Sequence, residues 1–121
     1  MTTPYQQLGV RAECIVAEHL TANGLRILGR NIRVGRIEID IVAQDEHVIA
    51  IIEVRTRGPG SYVRPLDSID SRKRARLRRA GTILWERSFS RISEVTRMRF
   101  DVAAVHFQPD AATIEYIKAA F

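Results

Sequence analysis

At 121 residues, with 45% hydrophobic and 27% charged residues, the chain has the makeup of one soluble globular domain over residues 1–121, long enough for its own core. No apolar run approaches a membrane span, and the start MTTPYQQLGV lacks both a basic end and an apolar signal core, so a cytoplasmic protein without membrane contact is expected. The lone Cys14 leaves no internal disulfide and no cysteine-based zinc site, and the +5 charge comes from 17 arginines with only 2 lysines, which favours nucleic acid as partner over a mere arginine-rich codon bias.

Residues 4–23 have helical spacing. Thr3 suits the N-cap and Pro4 the first turn. Leu8, Ala12, Ile15, Val16 and His19 share one apolar arc with Leu20 at its edge, and Glu13 lies beside it. Gly24 ends the helix in a left-handed conformation. Three strands are expected next, over 25–34, 36–43 and 48–55, the last two joined by the short polar stretch 44–47. TRGPGSYVRP, with two glycines and two prolines, reads as a loop. A second helix is expected over about 70–87, with Lys73, Leu77, Ala80 and Leu84 on one stripe and Arg76 flanking it. Arg72, Arg74, Arg78 and Arg79 fall on other arcs. Strands over 98–107 and 113–118, separated by QPD, complete the order αβββαββ.

Three acids interrupt the most strand-like stretch, RIEIDIVAQDEHVIAIIEVRTR. With side chains alternating between faces, Ile37, Ile39 and Ile41 share one face of the second strand, and Glu38, Asp40 and Val42 the other. On the third strand Ile49, Ile51, Glu53 and Arg55 lie together. A turn centred on Asp45 and Glu46 pairs Ala43 with Val48, Asp40 with Ile51 and Glu38 with Glu53, and all three acids converge on one face. Opposed like charges destabilise a sheet. The compensation is either a hard divalent cation or, on a solvated hairpin face, neighbouring arginines.

Nine basic residues fall in the 25 positions from Arg55 to Arg79, against only Asp67 and Asp70. This run reads as a solvated face or, beside a metal site, as a phosphate-tracking surface whose candidates are Arg57, Arg64, Arg72, Arg74 and Arg76. Tyr62 either stacks on a base or sugar or folds onto the core. Arg99 and Asp101 alternate onto one face as a structural pair. His19, His47 and His106 show no metal spacing, and neither a serine–histidine arrangement nor a phosphate loop is present.

The order of an acid, an Asp-bearing strand and IIEVR resembles the PD-(D/E)XK nuclease core shared by restriction-endonuclease-like enzymes and archaeal Holliday-junction resolvases. From about Leu8 to Phe107 the chain more closely resembles the YraN family of bacteria, through GVRAECIVAEHLTANGLRILGRN, EIDIVA, IIEVRTR, RLRRAG and RFDVAAV. The resemblance implies an α/β, restriction-endonuclease-like fold with a central mixed sheet flanked by helices. It implies magnesium or manganese on Asp40 and Glu53, Glu13 supporting the metal or its water, and Glu38 at the rim. It also implies phosphodiester hydrolysis in DNA, at branched or damaged structures, by a homodimer. Two positions depart from the pattern. Ile37 stands where the family has glycine, and Arg55 where the motif has lysine. Arginine retains a charge for the scissile phosphate but does not deprotonate, so it is no base. Lys73 is the alternative cation, or else it simply buries its stem and exposes its amine. Three functions follow: a metal-dependent nuclease, a nucleic-acid-binding module that keeps the fold without cleaving, and a basic protein with another kind of partner.

Overall fold

Helix α1 (Pro4–Ala22) leads into three strands, β1 (Arg26–Val34), β2 (Ile37–Asp45) and β3 (Val48–Arg57). One 3-10 turn, Leu66–Ser68, precedes α2 (Ser71–Leu84), which runs into a five-residue π-helical turn, Trp85–Phe89, before β4 (Arg97–Phe107) and β5 (Ala112–Ile117). This computed structural model describes residues 4–57, 64 and 66–121; Thr3, expected as a cap, and Tyr62 lie outside them. Among the described residues, no helix is long and apolar enough to cross a membrane.

The five strands form one sheet in the order β1-β2-β3-β4-β5, and the architecture is the mixed α/β sheet with flanking helices expected from the sequence. Only β3 and β4 run parallel, and α2 is the crossover that parallel neighbours require. On one face, Ala12, Val16 and Leu20 of α1 pack on Ile41, Ile52 and Val105; Ala43, Ala50 and Ala103 there admit the helix closely. Leu20 is thus central to the contact rather than at its edge, while Leu8 is 38% exposed. On the other face, Ala80 of α2 packs in a cluster with Val42, Ile51 and Phe100.

Two local features set the position of α2. Asp70 caps its start, its carboxylate accepting the Lys73 backbone N–H at 2.8 Å, which puts the Lys73 side chain in the first turn above β3. Farther along, Gly81 meets Phe100: a Cβ at this glycine would lie 2.7 Å from Cζ of that ring. The ring has little freedom to retreat, because it stacks on Phe121 at 5.4 Å.

The β2–β3 hairpin turns on Glu46 and His47, with Glu46 at φ 54 supplying the positive dihedral without a glycine. Its register is Asp45↔Val48, Ala43↔Ala50 and Ile41↔Ile52, two residues from the pairing expected above. The β2–β3 pairing ends at Ile41↔Ile52, so Glu38 is not opposite Glu53; on its other edge it lies opposite Arg33 of β1. A slip of two residues preserves the faces of the paired stretch Ile41–Asp45.

The Arg99 and Asp101 pair forms as expected. Asp101 is fully buried and accepts from Arg99 Nε at 2.9 Å, from the Tyr116 hydroxyl at 2.6 Å and from the Ala119 N–H at 2.9 Å. Asp101→Ala leaves a guanidinium short of its main partner inside the protein, and urea unfolding should register a loss of about 3 kcal/mol. Gly81→Ala gains about 1 kcal/mol of helix propensity but overpacks the Phe100 contact by roughly 1–3 kcal/mol. Its melting temperature should therefore fall rather than rise.

Candidate active site at a parting of two strands

The expected alternation over 37–42 breaks at Asp40. Ile37 and Ile39 pack on the α2 side, Ile41 packs on the α1 side, and Val42 returns to the α2 side. The β1–β2 register runs from Arg30↔Ile41 directly to Ile32↔Ile39, skipping Asn31 and Asp40, and Asn31 takes a left-handed φ of 51. On its other edge, β2 pairs with β3 only as far as Ile41↔Ile52. Beyond that point the strands part. The Val54 N–H is then taken by the Asp40 carboxylate, 2.8 Å away. Asp40 therefore reaches into the gap between two strands instead of standing on a face.

Glu53 faces α2 and is only 5% exposed. A carboxylate that stays charged when buried to that degree is stabilised by a paired cation. Lys73 Nζ provides one at 2.8 Å, and Arg55 Nη1 stands at 3.7 Å. The Lys73 side chain is 43% exposed, so its amine reaches Glu53 while remaining open to solvent. Arg55 is held elsewhere: its Nε donates to Ser68 Oγ at 3.1 Å and its Nη2 to the Ser68 carbonyl at 2.8 Å. It fastens β3 to the 3-10 turn before α2.

Glu13 approaches from α1. Among the described residues its buried Oε1 has no hydrogen-bond partner, while Asn31 hydrogen-bonds the side chain and Arg30 lends positive charge. Burial raises its pKa, and Glu38 and Glu53 raise it further. Two cavities meet at Asp40 and Glu53. One, of about 300 Å³, extends past Glu13, Arg55 and Arg57; the other, of about 320 Å³, extends past Lys73, Arg36 and Arg76. The gap is thus reached from both sides of the sheet.

The residues singled out in the sequence come together unequally. Asp40, Glu53, Glu13, Arg55 and Lys73 surround the gap. Glu38 stands at its rim, paired with Arg33 at 3.6 Å. Arg57 is buried on the wall of the first cavity, its Nη2 on the Arg64 carbonyl, and the half-buried Arg74 donates to the Ile69 carbonyl at 2.9 Å. Arg64, Arg72 and Arg76 are exposed. Asn31 was not anticipated; its one sequence signal is that asparagine tolerates the left-handed region better than most residues. Among the described residues, no three His, Cys, Asp or Glu side chains form a metal-binding group. The donors are all carboxylates, one oxygen of which is buried and unpartnered, so the chemistry of the set suits a hard cation held by one or two carboxylates plus water, not a closed three-acid cage.

A family model described as Uncharacterised protein family UPF0102 matches residues 12–105. The chain belongs to the UPF0102 family. A UPF0102 protein of Sorangium cellulosum is 66% identical, over 94% of this chain and 80% of its own length. Another, from Moorella thermoacetica, is 43% identical over 100% of both chains. The solved structure of Pyrococcus furiosus SfsA in complex with Ca2+ is similar over 94% of this chain and 63% of that one, less than two thirds of it, at 14% identity and a TM-score of 0.42. The UPF0102 match takes in Glu13, Asp40, Glu53, Arg55 and Lys73.

In this UPF0102 chain Asp40 has the most displaced titration at the gap. Burial, then the Glu53 charge, lift its pKa from 3.8 to about 7, against the Val54 N–H and Lys73, which pull it down. An acid raised in this way holds its proton in the folded state across that window while the unfolded chain releases it. Its contribution to stability is complete below about 4 and is lost as the pH rises to about 7. Asp40→Asn, which keeps an oxygen for Val54, should be more stable than wild type at pH 8 by up to about 4 kcal/mol, at about 1.4 kcal/mol per pH unit between the two pKa values. That advantage should vanish near pH 4, as urea unfolding at the two pH values would record.

Proposed function

We propose that the chain is a metal-dependent phosphodiesterase acting on nucleic acid, DNA foremost, with its centre in the gap between β2 and β3. The supporting observation is the meeting of Asp40, Glu53 and the Lys73 amine, 2.8 Å from Glu53, at a place where two strands part. Asp40 and Glu53 would hold magnesium or manganese, and such an ion would polarise a phosphoryl oxygen and make bound water acidic. Glu13 would take a hydrogen bond from water at its unpartnered oxygen and so orient it. Lys73 stands in for the motif lysine: its amine is free to lean from Glu53 onto a phosphate oxygen as negative charge builds there. Arg55 adds charge from a fixed position but exchanges no proton. The resemblance to junction-resolving enzymes extends the proposal to branched DNA and to a homodimer, which would bring two such gaps to the two strands to be cut.

A second reading is favoured by one observation. Arg55 occupies the motif-lysine position and is committed to Ser68, as a structural strut would be. On this reading the gap binds nucleic acid without cutting it.

Incubation with linear, single-stranded and four-way-junction DNA in magnesium, manganese or chelator separates the two readings. The expected result is metal-dependent cutting, lost in Asp40→Ala and reduced about a hundredfold in Lys73→Met, with Arg55→Lys retaining activity. Manganese titration by calorimetry should show a site that Asp40→Ala removes. Salt-sensitive binding with no cutting under any condition would leave the binding module standing. New cutting that appears only in Arg55→Lys would mark a dormant centre.

A further inference from the structure

Between α2 and the β1–β2 turn lies a further cavity of about 360 Å³ whose walls carry Arg36, Arg76, Arg79 and Arg87 and no acid. Its floor is apolar, from Val34, Ile37, Ala80 and Ile83. Arg36 sits at the hairpin tip beside Gly35, and Arg76 and Arg79 are one helical step apart on α2. Arg87 comes from the π-helical turn that continues α2. This cavity shares Arg36, Ile37 and Arg76 with the cavity that ends on Asp40, Glu53 and Lys73, so the two form one groove running into the gap.

All four arginines are exposed, and among the described residues none forms an ion pair with a carboxylate; Arg76 acts on Asp70 only as a nearby charge. Arginines elsewhere do find acids, as Arg33 does with Glu38 and Arg99 with Asp45 and Asp101. Four guanidinium groups without an ion pair along one groove repel one another, and a polyanion laid between them removes that repulsion. Their forked geometry suits phosphate oxygens. No asparagine, glutamine or aromatic side chain lines the groove to read a base edge or stack on a base.

We propose that this groove seats the phosphodiester backbone of a nucleic-acid strand and delivers it to the Asp40–Glu53 gap without reading its sequence. The assignment rests on the nucleic-acid reading above and adds the path of the strand. It moves the contact surface from Arg57 and Arg74, whose guanidinium groups sit on backbone carbonyls, to Arg36, Arg79 and Arg87 alongside Arg76.

The test is fluorescence anisotropy of a short labelled duplex with the full chain in chelator, over a range of salt. Wild type is compared with Arg76→Ala/Arg79→Ala and with a charge-matched control, Arg26→Ala/Arg97→Ala, placed at the other end of the sheet beside Gln44 and Val48. All are checked for native circular dichroism, and Arg36→Glu serves as an independent groove variant. The groove pair should lower the slope of log affinity against log salt by about 2, at about 0.9 per lost phosphate contact, with at least tenfold weaker binding on two unrelated sequences alike. The control pair should keep the wild-type slope. Equal losses in both pairs, an undiminished groove pair, or a loss confined to one sequence would overturn the groove. Tighter binding of an acidic peptide or of anionic vesicles than of DNA would overturn it as well. A wild type that binds no DNA overturns the parent reading, whereas normal DNA binding with an indifferent groove pair overturns the groove alone.

Discussion

At Asp40 a strand releases its neighbours on both edges, and the rest of the site depends on that release. A β-strand inside a sheet commits its backbone to two partners. β2 leaves Asp40 unpaired with Asn31 of β1, the register being the same on either side, and stops pairing with β3 after Ile41↔Ile52. A parted edge strands a backbone donor, which is costly when buried. The Asp40 carboxylate resolves this by accepting from Val54. The same displacement resets the alternation, sending Ile39 to one core cluster and Ile41 to the other. It also opens a slot through which groups on opposite faces, Glu13 of α1 and Lys73 of α2, approach the same acids.

Two buried carboxylate clusters among the described residues differ in completeness. Asp101 is enclosed by Arg99, Tyr116 and the Ala119 N–H, and it joins β4 to β5 and to the segment that follows. At the parted strands, Glu13 keeps an oxygen with no donor, and Asp40 is held by burial and by Glu53 where it resists ionisation. A fully bonded carboxylate anchors a fold. A set left short of donors and positive charge has unspent capacity for a cation, a proton or water.

Two uses of the arginine excess bear on the site. Arg55, Arg57 and Arg74 donate to backbone carbonyls around the segment between β3 and α2, supplying hydrogen bonds where there is no ladder. Arg36, Arg76, Arg79 and Arg87 point into an open groove. Both uses exploit a planar group with five donors and permanent charge, and a lysine would serve neither equally. Lys73, by contrast, stands where a compact, mobile ammonium is useful, against Glu53 at the mouth of the gap.

Local pattern alone carried much of this protein. Helical and two-residue periodicities located all seven main elements in their order, Asp70 marked the start of α2, and the stripe of Lys73, Leu77 and Ala80 put that lysine on the helix's inward face. Parity also put Glu53 and Arg55 on one face, because side chains along an unbroken strand alternate. Tertiary structure decided the rest. Hairpin register is invisible to the pattern when a two-residue slip buries the same face, and the Glu46 turn carries no glycine to announce it. Where a ladder stops, and which arginines curl onto carbonyls instead of facing solvent, depends on backbone groups brought together from distant parts of the chain. Sequence periodicity describes only neighbours along the chain, so the parting at Asp40 became visible only once β1, β2 and β3 lay side by side.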